Sequence, residues 1–166
     1  PETIQGISRQ VNEQVIISEV VDEEYGQEGY CLRIKEDGIC IFGTRKGRFY
    51  AHKTLEQLRL QYPQKLPCIE ITDRPRFHYR GFMLDSSRHF LPKADIFKLL
   101  DAAAFFKLNK MHWHLIDDQG FRIQIDKYPK LTEIGAKRGA VHFGRIEEPE
   151  ESHDYFTKDD IREIVA

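Results

Sequence analysis

The stretch that most constrains the fold is Lys110 to Gly120, KMHWHLIDDQG. Met111, Trp113 and Leu115 alternate with His112 and His114, the period of a short strand. Residues two apart on a strand share a face, so the histidines point one way and the apolar side chains the other. The strand is expected to stop at Asp117, Asp118, Gln119 and Gly120. Acids and a glycine at the C-terminal end of a buried strand are where α/β barrels place their working residues. Asp117 is therefore a candidate supporting acid of an active site.

The residues before this strand give it a partner. Tyr79 to Leu84 reads as a strand and Asp85 to Leu91 as a loop. Pro92 then opens a helix with Asp95 in its first turn. Ile96, Leu99, Leu100, Ala103, Ala104 and Phe106 give that helix a broad apolar face. Strand, helix and strand at this spacing make a βαβ unit with parallel strands. After the second strand, Phe121 to Lys137 is a long excursion, and Gly139 to Asp154 reads as a mobile loop. Thr157 is an N-cap candidate, with Asp160 at the capping-box position.

The first half of the chain has a different character. Gln14 to Val21, Tyr30 to Ile34 and Ile39 to Phe42 read as strands, the last two joined by a turn at Asp37-Gly38. Leu32, Ile34, Ile39 and Ile41 can share one face. A helix over Gly47 to Tyr62, with Ala51, Leu55 and Leu58 at helical spacing, can cover it. Pro63 and Pro67 end that helix, and Leu66 to Ile71 is a fourth strand. An antiparallel sheet with one helix on it is expected. Thr72 to His78, with Pro75, is a plausible connector.

Charge and cysteine content exclude little but do guide. With 166 residues and a formal net charge of -2, nothing points to nucleic acid, which usually wants a basic face. Arg45, Lys46 and Arg48 are the one basic cluster, read as a solvated turn rather than a phosphate site. No apolar run is long enough to span a bilayer, and no signal peptide is visible, so localisation is left open. Cys31, Cys40 and Cys68 match no metal framework. A turn at Asp37-Gly38 would set Cys40 against Lys35 and Cys31 against Thr44, so free, buried thiols are expected, as in a reducing compartment.

Three segments carry a resemblance. RGFMLDSSRHF (Arg80 to Phe90), KLNKMHWHLIDDQGFRI (Lys107 to Ile123) and YPKLTEIGA (Tyr128 to Ala136) together resemble the family 20 glycoside hydrolases, the β-N-acetylhexosaminidases. Upstream, FYAHKTLEQL and ITDRPRFHYRG resemble the α+β domain that precedes the barrel in that family. The resemblance implies an α+β accessory domain over residues 1–74. After it come the first two βα units of an incomplete (β/α)8 TIM barrel, over residues 75–166. It implies removal of terminal N-acetylglucosamine or N-acetylgalactosamine from glycans. The substrate's own acetamido oxygen attacks the anomeric carbon, helped by an Asp-Glu pair, an exception to the usual two-carboxylate scheme. No cofactor and no metal are implied.

Carried over residue by residue, Arg88 matches the arginine that holds hydroxyls of the terminal sugar, a task suited to a rigid fork of donors. The alternative for Arg88 is a brace to Asp85. Asp117 matches the acid that hydrogen-bonds a histidine touching the catalytic Glu; its alternative is a helix cap or loop brace. Asp118, His89, His112 and His114 read as structural. The catalytic Asp-Glu pair and the relay histidine are expected beyond this chain. Asp22-Glu23 has the wrong setting, and a complete barrel needs about 250 residues. The chain alone is thus expected to be inactive and, with strand edges and an apolar helix face uncovered, to self-associate. Two rivals remain open. One is a metal-dependent barrel hydrolase using His112 and His114 with ligands from later strands. The other is a non-catalytic glycan- or partner-binding module using Arg88 and the loop Gly139-Asp154.

Overall fold

A computed structural model describes residues 17–138, 142–143, 146–147 and 152–166. The chain divides into two compact units, one of Pro1–Arg80 with Ala103–Leu108, the other of Gly81–Ala102 with Asn109–Ala166.

Among its described residues the first unit has a four-stranded sheet and one covering helix. Its strands are β1 (Ile17–Val20), β2 (Tyr30–Lys35), β3 (Gly38–Gly43) and, after helix α1 (Arg45–Gln61), β4 (Ile69–Asp73), in the order β1-β3-β2-β4. Leu32 faces Ile41 and Ile34 faces Ile39 across the β2/β3 hairpin. With Tyr30, Tyr50, Ala51 and Leu55 they form the buried core of this unit, as the alternation in β2 and β3 requires. Tyr30 buries a hydroxyl, which therefore needs partners. It meets Thr54 Oγ1 at 2.6 Å, accepts from Lys107 Nζ at 2.8 Å and donates to Asp73 Oδ2 at 3.0 Å. Lys107 itself stands at φ 59, a left-handed conformation rare outside glycine.

Four expectations need correction here. The sheet is mixed, not purely antiparallel, because β1 runs parallel to β3. A strand lying against a hairpin's edge can run in either direction, and hydrophobic alternation does not encode which. The hairpin turn is Glu36-Asp37, since Lys35 pairs with Gly38. Cys31 consequently faces Phe42 and Cys40 faces Arg33. None of the three cysteines forms a disulfide, but only Cys31 is buried, and Cys68 is exposed. Helix α1 also starts earlier than its apolar spacing suggests. Thr44 caps it by accepting from the Gly47 N–H, so the basic cluster lies in the first turn, where Arg48 pairs with Glu19 at 3.1 Å.

The second unit contains β5 (Gly81–Asp85), α2 (Lys93–Phe105, whose last three residues fall in the first unit) and β6 (Lys110–His114). The two strands are parallel, with Asp85 opposite His114. A two-residue turn, Asp118-Gln119, then joins β7 (Ile116–Asp117) to β8 (Gly120–Phe121). The strand expected to run as far as Ile116 and stop at Asp117 thus ends at His114. The remaining elements are α3 (Lys130–Glu133), β9 (Lys137–Arg138), β10 (His142–Phe143), β11 (Ile146–Glu147), β12 (Ser152–His153) and α4 (Lys158–Val165). β10 pairs with β11, and β12 with β9. The expected mobile loop, Gly139 to Asp154, lies largely outside the described residues. Thr157 and Asp160 form the capping box of α4. Of the anticipated α2 face, Ile96 is fully buried, whereas Leu99 is 37% and Phe106 72% exposed.

Phe156 is the hub of this unit's core. It lies 4.6 Å from Phe90 and 4.7 Å from Trp113, ring centre to ring centre, beside Ile96 and Ile164. Trp113 therefore points into the core, and His112 and His114 point away from it, as the alternation predicts.

Arg122 is wholly buried and ties the loops together. Its Nη1 donates to the carbonyls of Ala136 and Asp154, both at 2.8 Å, and its Nη2 to that of Ser87 at 3.3 Å. Gly120 leaves the space this needs: a Cβ there would stand 2.7 Å from Arg122 Nε and 2.7 Å from the Ser87 carbonyl oxygen. Gly120→Ala is therefore expected to destabilise the second unit by about 1–3 kcal/mol, the usual cost of overpacking a tight site. Chemical denaturation of the two proteins side by side checks this; equal midpoints and slopes would contradict it.

Candidate active site

The candidate site forms where β5 and β6 end. Asp85 closes β5 and folds the next residues back on itself: its Oδ1 accepts from the N–H of Ser87 at 3.0 Å and of Arg88 at 3.1 Å. Such an Asx turn is what a short acid at a strand end favours. Two buried serines then anchor the loop. Ser86 Oγ accepts from Trp113 Nε1 at 2.9 Å, and Ser87 Oγ donates to the Gly120 carbonyl at 2.8 Å. Arg88 leaves this loop from a fixed root.

Its guanidinium is held at three points. Nη1 meets Asp85 Oδ2 at 2.8 Å, Nη2 meets Asp117 Oδ2 at 2.8 Å, and Nε donates to Gln119 Oε1 at 2.6 Å. A guanidinium carries five N–H donors. Nε and Nη1 each donate a hydrogen bond and Nη2 stands in an ion pair, so at least two N–H groups find no acceptor among the described residues, on a side chain 40% exposed. Asp117 is equally well held. His114 Nε2 lies 2.7 Å from Oδ2, and the Asp118 N–H donates to Oδ1 at 2.8 Å.

These contacts fix the charges. The Asp118 N–H, then the His114 ring, hold the Asp117 carboxyl down at about 2. Asp85 is also below its ordinary value: burial pushes it up, but the Arg88 N–H and guanidinium outweigh that. Hydrogen bonding to Asp85 raises Arg88 further. At neutral pH the site is thus one guanidinium between two carboxylates. Beside Asp117 and Asp118 opens a groove of about 680 Å³, walled by Phe121, Tyr128, Leu131 and Ile134. Rigid donors next to carboxylates are suited to hydroxyl-rich ligands, because each sugar hydroxyl both accepts and donates.

The structure brings Arg88 and Asp117 into direct contact, which no spacing in the sequence states. The brace from Arg88 to Asp85 is also present, so bracing and spare donor capacity coexist. Two members of the site were missed. In the sequence His114 reads as packing, and nothing there marks Gln119 beyond its place at the strand end. The signal for His114 was available: it and Asp117 are three residues apart across a strand end, close enough to meet once the chain bends. Asp22 is engaged elsewhere, accepting from the Glu24 N–H in a turn of the first unit. Among the described residues no group of three or more His, Cys, Asp or Glu is placed to hold a metal ion. No described helix is long and apolar enough to cross a membrane.

Comparison with known proteins adds the family. The model "Glycosyl hydrolase family 20, domain 2" matches residues 4–74, and "Glycosyl hydrolase family 20, catalytic domain" matches residues 77–166. A beta-hexosaminidase of Porphyromonas gingivalis is 42% identical over 153 residues, covering 84% of this chain and 18% of that protein. One of Akkermansia muciniphila is 42% identical over 143 residues, covering 84% of this chain and 28% of that protein. The crystal structure of a family 20 exo-β-N-acetylglucosaminidase from Vibrio harveyi, in complex with N-acetylglucosamine, superposes with a TM-score of 0.80 at 34% identity. It covers 90% of this chain and 25% of that chain. This chain thus spans less than a third of the length of each of these relatives. It belongs to glycosyl hydrolase family 20, with the accessory domain of that family and part of its catalytic barrel.

Proposed function

We propose that this chain is part of a β-N-acetylhexosaminidase. The enzyme removes terminal N-acetylglucosamine or N-acetylgalactosamine from glycans by retaining, substrate-assisted hydrolysis. Residues 1–74 are its accessory domain, and residues 75–166 supply the first two βα units of its (β/α)8 barrel. The observation that carries the reading is the three-point clamp on Arg88, with two N–H groups to spare. In the proposed role these two donors bind neighbouring hydroxyls of the terminal sugar, and the clamp fixes their direction before the sugar arrives.

Asp117 has the supporting role. A carboxylate offers about four lone-pair sites. Arg88, His114 and the Asp118 N–H occupy three of them. In the proposed role Asp117 also accepts from a relay histidine that in turn touches the general-acid Glu. An ionised Asp117 would raise the proton affinity of that histidine and so tune the acid. The acetamido oxygen attacks the anomeric carbon, and the partner Asp of the Glu steadies the developing positive charge on the acetamido nitrogen. Neither that Glu nor that Asp is assigned to a residue of this chain. The metal-dependent alternative is not favoured: His114 Nε2 is committed to Asp117, and the relatives named above are hexosaminidases and an N-acetylglucosaminidase.

On this reading the purified 166-residue chain does not turn over an aryl N-acetylglucosaminide. The assay is direct. Turnover that disappears on changing one residue of this chain would show that the chain contains its own acid and contradict the proposal. The two-stranded β5/β6 sheet supports a second expectation. Met83 is 58% and Ile116 48% exposed, beside strand edges with no partner among the described residues. We expect the isolated chain to self-associate through these edges. Sedimentation should give an apparent mass that rises with concentration; a constant monomer mass would count against it.

A further inference from the structure

We propose that His114 is a positioning residue of this site. By donating from Nε2 to Asp117 Oδ2, on which Arg88 also rests, it fixes the carboxylate that aims the Arg88 guanidinium, and so sets how firmly Arg88 holds a sugar hydroxyl. The proposal deepens the function proposed above and rests on its reading of Arg88 as the sugar contact.

The geometry carries it. Asp117 sits on a two-residue hairpin strand whose own backbone pairing is short. The carboxylate must therefore be fixed by its side-chain partners. Among the described residues, the Asp118 N–H holds Oδ1 from within the hairpin, and His114 and Arg88 reach Oδ2. Arg88 cannot fix Asp117 and also be aimed by it. An independent anchor is needed, and His114, rooted at the end of β6 opposite Asp85, is placed to be that anchor. An ionised carboxylate only accepts hydrogen bonds, so the Nε2 atom facing it carries the proton. The surrounding charges are Arg88, Asp85, Asp117 and Asp118, with the His112 ring 6.3 Å from that of His114. Asp117 stays ionised down to about pH 2, so the pairing holds throughout the neutral range.

The test separates positioning from sugar binding. Carboxyl carbon NMR of the 166-residue chain should find Asp117 titrating near 2. In His114→Ala the midpoint should move up toward the ordinary carboxylate value. His114→Gln, whose amide nitrogen can occupy the place of Nε2, should keep it low; His114→Asn, whose shorter amide lies nearer the place of Nδ1, should not. N-acetylglucosamine titrated into the same proteins should bind roughly tenfold more weakly to the Ala and Asn variants, the scale of one charge-assisted hydrogen bond. It should bind the Gln variant as it does the unaltered chain. An Asp117 midpoint indifferent to all three changes overturns the positioning claim, and so does an unmoved Asp117 in His114→Asn alone if the Ala variant fails to fold. Unequal midpoints with equal sugar affinities overturn it too, because the anchor would then not reach Arg88. If Arg88→Ala binds the sugar like the unaltered chain, or the unaltered chain does not bind it, the sugar-contact reading fails, and with it the claim that His114 tunes sugar affinity.

Discussion

Burying a guanidinium is costly unless its N–H groups find acceptors, and in this chain that cost shapes the second unit. Arg122 is fully enclosed and gathers the carbonyls of Ser87, Ala136 and Asp154 from three separate loops. Ser87 precedes Arg88, and its hydroxyl donates to the Gly120 carbonyl at the far end of the Asp117 hairpin. The two loops that carry the sugar-binding candidate and its acid are thus sewn together below the surface. A buried cation that no ligand need touch decides where an exposed one can point.

The pattern of residues made much of this legible. The alternation in KMHWHL placed Trp113 inward and the histidines outward, and the spacing around Pro92 gave the parallel βαβ unit. Thr157 with Asp160 marked the start of α4 because capping is local chemistry, readable within four residues. Long-range features were not legible. The direction of β1 depends on a pairing with β3 some twenty residues away, and nothing in ISEV states it. The hairpin register slipped by one residue because both Asp37-Gly38 and Glu36-Asp37 are acceptable two-residue turns, and tertiary packing chooses. Arg122 reads like any surface arginine in sequence; only its meeting with three distant carbonyls makes it a core residue.

The site illustrates the same division. Motif resemblance singled out Arg88 and Asp117 separately, each by its neighbours in sequence. That the two form an ion pair, and that His114 shares the same oxygen, are facts of the fold. Brace and binding group read in the sequence as alternatives for Arg88, yet a five-donor side chain can be both. The centre of the site is therefore a guanidinium immobilised by Asp85, Asp117 and Gln119 so that its remaining N–H groups keep a constant direction.

That immobility can be measured without any ligand. A mobile arginine rotates about its Cζ–Nε bond fast enough to merge the signals of its two terminal nitrogens, whereas a clamped one keeps them apart. Nitrogen-15 NMR of the Arg88 side chain near neutral pH and room temperature is predicted to resolve distinct Nη1 and Nη2 signals, with a slowly exchanging Nε–H. A single averaged Nη signal with a rapidly exchanging Nε–H would contradict the account at its centre.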